Sequence, residues 1–159
     1  MNIQEGKSAP DFVLPDAAEK EVALKDFKGK NVVVYFYPKD NTSGWTKEAE
    51  GFRDLYGEFL KLDTIILGIS PDNAASHQKF IDNFKLPFPL LCDPEKKVMS
   101  QYGAFGEKKM YGKVTMGVIR STVWIGPDGK VKKHWKRVAK AAEHPLNVLE
   151  TLKKARQSA

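Results

Sequence analysis

Apolar residues along this chain fall into short runs that polar segments separate. Two runs, Asn31 to Tyr37 and Thr64 to Ile69, are continuous and rich in β-branched and aromatic residues. Such runs are typical of strands covered on both faces, as in a parallel sheet. Leu86 to Leu91 is a third apolar segment of strand length. The pattern therefore predicts three buried strands in the first two thirds of the chain.

The segments between and after these strands have a helical pattern, with apolar residues recurring every three or four positions. It predicts amphipathic helices over Thr46 to Leu62, Asn73 to Phe84 and Pro145 to Arg156. A shorter helix is predicted to begin at Asp93-Pro94-Glu95 and to stop at Gly103.

A turn sequence, Gly126-Pro127-Asp128-Gly129, separates Ser121–Ile125 from Lys130–Lys136 and predicts a β-hairpin. The predicted order is β-α-β-α-β, a loop, the hairpin and a final helix. Alternating units favour parallel pairing with right-handed crossovers, and the hairpin adds antiparallel strands. We therefore predict a thioredoxin-like α/β fold, with a central mixed β-sheet flanked by helices, in a single domain over residues 1–159.

Composition narrows the class of protein. The net charge is +6, but the lysines are spread along the chain and no nucleic-acid motif accompanies them, so we expect solvated faces and no nucleic-acid binding. The N-terminus lacks an apolar signal segment, and no apolar run is long enough to cross a bilayer. One cysteine, Cys92, excludes an internal disulfide and fits a reducing compartment. We expect a cytoplasmic protein that does not contact membranes.

Few residues have the spacing of a cofactor or metal site. His77, His134 and His144 are scattered, so we expect solvated side chains, no metal and no cofactor. Cys92 follows a predicted strand and is a candidate for a displaced nucleophile. No cation adjoins it in sequence, and we interpret it as a buried structural residue.

The segment from Pro38 to Ala49 lies where a central strand is followed by a helix, and a helix N-terminus suits an anion such as a thiolate. Over nearly its whole length, the chain resembles the peroxiredoxins, specifically the bacterioferritin-comigratory or peroxiredoxin Q branch. Besides this segment, the resemblance rests on Ala9-Pro10-Asp11-Phe12, Leu67-Gly68-Ile69-Ser70, Phe88-Pro89-Leu90-Leu91, Gly117-Val118-Ile119-Arg120-Ser121-Thr122 and Pro127-Asp128-Gly129.

The resemblance implies hydroperoxide reduction by a cysteine thiolate in the motif Pro-x-x-x-Thr-x-x-Cys, followed by regeneration with a thioredoxin-like reductant. Pro38, Thr42 and Arg120 match the family pattern, and the peroxide would be oriented by the threonine and the arginine. Gly44 and Glu48 are implied to border the same pocket.

The nucleophile does not match, because Trp45 stands where the family has its catalytic cysteine. Many relatives place a resolving cysteine at the position of Glu50. An indole forms no nucleophilic anion near neutral pH, so we expect no thiol peroxidase turnover through position 45. The chain is then either an engineered variant of an active parent or a naturally degenerate relative that serves as a binding or regulatory module.

Two structural consequences of Trp45 are open. The indole either plugs the pocket or holds the first helical turn in a locally unfolded arrangement, because an indole is much larger than a thiol. We expect a monomer or a weak homodimer.

Overall fold

The computed structural model describes residues 3–40 and 42–158 and places a five-stranded mixed sheet at the centre of the protein. Its strands are β3 (Asn31–Phe36), β4 (Thr64–Ser70), β5 (Leu90–Cys92), β8 (Ser121–Ile125) and β9 (Val131–Trp135). Across the sheet they have the order β5-β4-β3-β8-β9. β3, β4 and β5 pair in parallel, whereas β8 pairs antiparallel with both β3 and β9.

Four helices and two small hairpins complete the described structure. The helices are α1 (Ser43–Lys61), α2 (Ala74–Phe84), α3 (Lys97–Gln101) and α4 (His144–Ser158). One hairpin is formed by β1 (Val13–Pro15) and β2 (Glu21–Ala23), and the other by β6 (Phe105–Met110) and β7 (Lys113–Val118). A short 3₁₀ helix, Leu24–Phe27, leads into β3.

Alternate residues of β3 point into two separate apolar cores. Val33 and Tyr35 pack on the face covered by α1, α2 and α4, and Phe52 of α1 belongs to this cluster. Val34 and Phe36 face the other core, which includes residues of β1 and α3. Burial on both faces explains the continuous apolar run of β3.

The predicted thioredoxin-like α/β class, with a central mixed sheet flanked by helices, is confirmed. Two element predictions were wrong. The third strand is confined to Leu90–Cys92, because Pro87 and Pro89 interrupt the segment before it. The region before Arg120, predicted as a loop, forms the β6–β7 hairpin. Most side chains described on β7 are exposed, so this hairpin lacks the apolar alternation that marks a strand in sequence.

No helix within residues 3–40 and 42–158 is long and apolar enough to span a membrane.

Candidate active site

The segment after β3 leads into the N-terminus of α1. Backbone pairing continues past β3, where the Tyr37 N–H donates to Ile69 O at 3.1 Å. Thr42 is the N-cap residue of α1, but its hydroxyl donates to Lys39 O at 3.2 Å and does not cap the helix. The Thr46 N–H donates to Thr42 O at 2.8 Å. The first turn of α1 is therefore intact, and the locally unfolded arrangement expected as one consequence of Trp45 is not what the structure shows.

Trp45 and Arg120 meet in this region although 75 positions separate them in the sequence. Trp45 is half-buried in the first turn of α1, and the Arg120 Cζ atom lies 4.7 Å from the centre of its ring. Arg120 lies between β7 and β8, and its carbonyl accepts a hydrogen bond from the Val138 N–H at 2.9 Å. The contact is a cation–π interaction, and the antiparallel pairing of β8 with β3 brings the arginine to the start of α1.

Glu48 follows Trp45 by about one helical turn and is almost completely buried, with 1% of its surface exposed. Its Oε1 atom has no hydrogen-bond partner among the described residues. Burial raises the pKa of this carboxyl group to about 8, although the Arg120 charge acts in the opposite direction. Glu48 is therefore mostly protonated and uncharged at neutral pH.

The remaining predicted site residues lie on the same segment. Pro38 is half-buried directly after Tyr37, and Gly44 is half-buried in the first turn of α1. Asn41 lies outside the described residues. The structure thus gathers Gly44, Trp45, Glu48 and Arg120 around the start of α1, while the Thr42 hydroxyl is engaged with Lys39.

A buried polar network lies beside this site, and sequence reasoning missed it. Asp40 is buried and accepts hydrogen bonds from Tyr37 Oη at 2.6 Å and Ser76 Oγ at 2.8 Å. Its Oδ2 atom also lies 2.7 Å from His77 Nδ1. His77 Nε2 lies 2.9 Å from Leu91 O. The prediction that His77 is solvated was wrong, because His77 and Phe80 form the buried side of α2. That spacing of three was the available signal in the sequence.

The geometry of this network defines where its protons lie. A carbonyl oxygen only accepts, so His77 Nε2 carries a hydrogen that it donates to Leu91 O. One more proton must lie between His77 Nδ1 and Asp40 Oδ2. Because two hydroxyls also donate to Asp40, its carboxyl group and the His77 ring form the centre of one hydrogen-bonded unit. The network ties the segment before α1 to α2 and β5.

Asp72 extends the network towards β4. Its Oδ2 atom accepts from the Asp40 N–H and from Ser70 Oγ, both at 2.7 Å. Asp40, Asp72 and His77 place possible metal-ligand atoms within 4.8 Å of one another. Hydrogen bonds already engage these atoms, including both nitrogens of His77, so the cluster is explained as a hydrogen-bond network.

Comparison with known proteins identifies the family. The AhpC/TSA family model matches residues 6–134. Peroxiredoxin Bcp of Bacillus subtilis is 44% identical over 153 residues, which cover 96% of this chain and 97% of that protein. A peroxiredoxin Bcp of Helicobacter pylori is 48% identical over 150 residues, covering 94% and 98%. The chain belongs to the AhpC/TSA family.

Solved structures agree with this assignment and with the Bcp/peroxiredoxin Q branch of the AhpC/TSA family. The bacterioferritin comigratory protein of Xanthomonas campestris superposes with a TM-score of 0.88 at 35% identity, over 96% of this chain and 99% of that one. A cysteine-to-serine mutant of peroxiredoxin Q from Xylella fastidiosa gives a TM-score of 0.90 at 30% identity, over 98% and 99%.

The single cysteine of this AhpC/TSA chain lies in an environment that disfavours a thiolate. Cys92 ends β5, is 4% exposed and has its Sγ atom 4.0 Å from Asp16 O. Burial raises the pKa of its thiol to about 11, and the negative charges of nearby carboxylates, beginning with Asp40 and Asp16, act in the same direction. Cys92 is therefore a neutral thiol near pH 7 and a poor nucleophile.

The other two histidines also differ from the prediction of solvated side chains. His144 is buried at the start of α4, and its Nε2 atom lies 2.8 Å from Thr122 Oγ1. Burial lowers the pKa of His144 to about 4, so this side chain is neutral near pH 7. His134 is half-buried on β9, and its pKa is lowered first by burial and then by the Lys136 charge.

Proposed function

We propose that this chain is a peroxiredoxin Q scaffold for thiol-dependent hydroperoxide reduction that lacks activity because Trp45 replaces the nucleophilic cysteine. The observation that carries the proposal is the position of Trp45 in the first turn of α1, in contact with Arg120 and one turn before buried Glu48. The family motif has its cysteine at this position, and the matching residues Pro38, Thr42 and Arg120 are all present.

The chemistry explains why the substitution would abolish turnover. A cysteine thiolate attacks one oxygen of the peroxide, the O–O bond breaks, and the sulfur becomes a sulfenic acid while the other oxygen leaves as water or an alcohol. A second thiol then reduces the sulfenic acid. Trp45 offers only an indole N–H donor, so the first bond cannot form. Cys92 does not replace it, because its thiol is buried and its pKa is raised to about 11.

The substrate class follows from the family and from one relative. The Xanthomonas campestris protein is described by its alkyl peroxide reduction activity. For the active parent of this chain we propose hydroperoxide substrates and a thioredoxin-like reductant. We also propose a cytoplasmic monomer or weak homodimer, in one domain, that binds neither nucleic acid nor membranes.

The contact between Trp45 and Arg120 gives a second reason why the site would be inactive. The guanidinium group that would orient the hydroperoxide lies instead against the indole ring, at 4.7 Å from its centre. We propose that Trp45 plugs the pocket as well as removing the thiol. The alternative is a naturally non-catalytic binding or regulatory module on the same fold. The intact first turn of α1 fits either, because the fold accommodates the indole without unwinding.

Peroxide consumption by two variants tests the proposal. Trp45→Cys and Trp45→Ser both remove the indole, and the two variants differ only in the γ atom, which is sulfur in one and oxygen in the other. With hydrogen peroxide and dithiothreitol, we expect Trp45→Cys to exceed both Trp45→Ser and the unsubstituted chain by at least about 100-fold, because only a thiolate at the helix N-terminus is a competent nucleophile.

Two other outcomes discriminate between the alternatives. A folded Trp45→Cys variant that is no faster than Trp45→Ser would contradict the silenced-enzyme proposal and favour the binding module. Peroxidase turnover by the unsubstituted chain would contradict the claim that the site is inactive.

A further inference from the structure

A groove of about 370 Å³ opens beside Trp45. The first turn of α1 forms one side of it, and the segment before α4 forms the other. The apolar residues that line it are Trp45, Ala139, Ala141 and Ala142. The volume lies in the range of pockets that hold small organic molecules.

The charged residues of the groove are almost all positive. Lys47, Arg120 and Lys140 line it, and Arg137 lines an adjoining cavity of about 170 Å³ that shares Arg120 and Ala139. The one acidic side chain, Glu143, is within 3.8 Å of Lys140. In the part of the chain that the structure describes, Lys47, Arg120 and Arg137 form no salt bridge. The groove and its adjoining cavity thus carry three cations that no salt bridge within the described residues neutralises.

Two features of α1 leave this positive charge uncompensated. The first turn of α1 contains no acidic residue, so the positive end of the helix dipole faces the groove at Gly44. Glu48, whose carboxyl group interacts with the Arg120 charge, is buried and protonated at neutral pH. The groove therefore presents a net positive field next to an aromatic ring.

We propose that this groove binds an amphiphilic organic anion, with its carboxylate or sulfonate on Arg120 and Arg137 and its apolar body against Trp45 and the alanine methyl groups. The guanidinium groups supply charge-assisted hydrogen bonds, and the apolar wall adds contact area that an inorganic ion would not use. This binding site depends on the tryptophan itself. It does not depend on a peroxidase ancestry, so it stands or falls separately from the proposed function.

The probe for this site is 8-anilinonaphthalene-1-sulfonate, a fluorescent aromatic sulfonate, titrated into the unsubstituted chain at neutral pH. We expect saturable binding with one equivalent per chain. Arg120→Gln and Trp45→Ala should each weaken it by about 10-fold, as expected for the loss of one hydrogen bond to a charged group or of one large apolar contact. Lys47→Gln, a milder change at an exposed side chain, should weaken it in the same direction.

Controls separate this site from general apolar or ionic binding. Lys28→Gln changes a lysine that lines a different cavity, near Lys25 and Phe27, and should leave probe affinity unchanged. Uncharged N-phenyl-1-naphthylamine and inorganic sulfate should each bind at least about 10-fold more weakly than the probe, because each lacks one half of the recognised chemistry. Circular dichroism checks that each variant is folded.

Three results would overturn the proposal: absence of saturable probe binding, folded Arg120→Gln and Trp45→Ala variants that bind the probe as tightly as the unsubstituted chain does, or an affinity of the unsubstituted chain for the uncharged analogue equal to its affinity for the probe. None of these results changes the expected peroxidase activity of the Trp45→Cys variant. A peroxidase failure of that variant likewise leaves the anion-site proposal for the unsubstituted chain unaffected.

Discussion

The Glu48 carboxyl group is protonated at neutral pH, which is unusual for glutamate. The cause is its buried position on α1, close to the N-terminus of the helix. The side chain is 1% exposed and its Oε1 atom finds no partner among the described residues, so ionisation would leave a buried charge. The Arg120 charge compensates only part of this cost, because the pKa of Glu48 remains raised to about 8. The consequence is an uncharged Glu48 side chain at pH 7 and a measurable dependence of stability on pH.

The first prediction concerns that dependence. The unfolded chain releases the Glu48 proton near pH 4.5, whereas the folded protein keeps it until about pH 8. The folded state therefore binds more protons in this window, and the contribution of Glu48 to the free energy of unfolding falls as pH rises, by up to about 1.4 kcal/mol per pH unit. Glu48→Gln should remove this contribution, as measured by urea unfolding at several pH values.

The comparison is clearest between pH 6.5 and 8. Below this range His144, with a folded pKa of about 4 against an ordinary value of 6.5, makes stability rise with pH and opposes the Glu48 effect. Identical pH profiles for the unsubstituted chain and Glu48→Gln across pH 6.5–8 would show that the Glu48 carboxyl group does not titrate there.

At this scale, sequence reasoning found the residues but not their environments. The motif match placed Trp45 and Arg120 in one site, and the structure brings them into contact. The burial of Glu48 and the Asp40–His77 pair depends on packing between α1, α2 and the sheet, which no local pattern shows. His77 was predicted to be solvated because it lies in a polar helical stretch, although its helical spacing from Phe80 indicated the buried face.

At the scale of elements, α1 is held in place by close packing against α4. A Cβ atom on Gly51 of α1 would lie 2.8 Å from Pro145 Cγ of α4, closer than carbon atoms pack. Gly57, in the same helix, has no neighbouring atom within 4 Å of a built Cβ. Both glycines therefore lie in the interior of α1, but only Gly51 is closely packed against another element.

This pair gives the second prediction in the form of a matched comparison. Gly57→Ala should raise the free energy of unfolding by about 0.5–1 kcal/mol, because alanine is the better helix former. Gly51→Ala gains the same propensity but must displace the rigid Pro145 ring, and overpacking of this kind costs about 1–3 kcal/mol, so we expect net destabilisation. Chemical denaturation measures both variants. Equal stabilisation by the two would show that α1 and α4 are not in close contact at Gly51.

The elements predicted from sequence were those with strong apolar patterns. β3, β4, α1 and α2 were all found, because each buries a regular set of side chains. The β6–β7 hairpin was missed because its described residues contribute little to either core, and Tyr111 at its turn is 99% exposed.

At the scale of the whole molecule, the parallel strands bring two chemically opposite environments to one edge of the sheet. Position 45 follows β3, lies at a helix N-terminus and contacts the Arg120 guanidinium group. Cys92 ends β5 at the same edge, among carboxylates that disfavour a thiolate. A thiol at position 45 should therefore be reactive, while the thiol at Cys92 in the same molecule should not.

The most direct test of the silenced-site account measures both thiols in one molecule. The Trp45→Cys variant is treated with one equivalent of hydrogen peroxide for a few seconds, its sulfenic acid is trapped with dimedone, and peptide mapping by mass spectrometry locates the label. We predict labelling at position 45 and an unmodified Cys92. Labelling of Cys92 alone, or of neither position in a folded variant, would contradict the account.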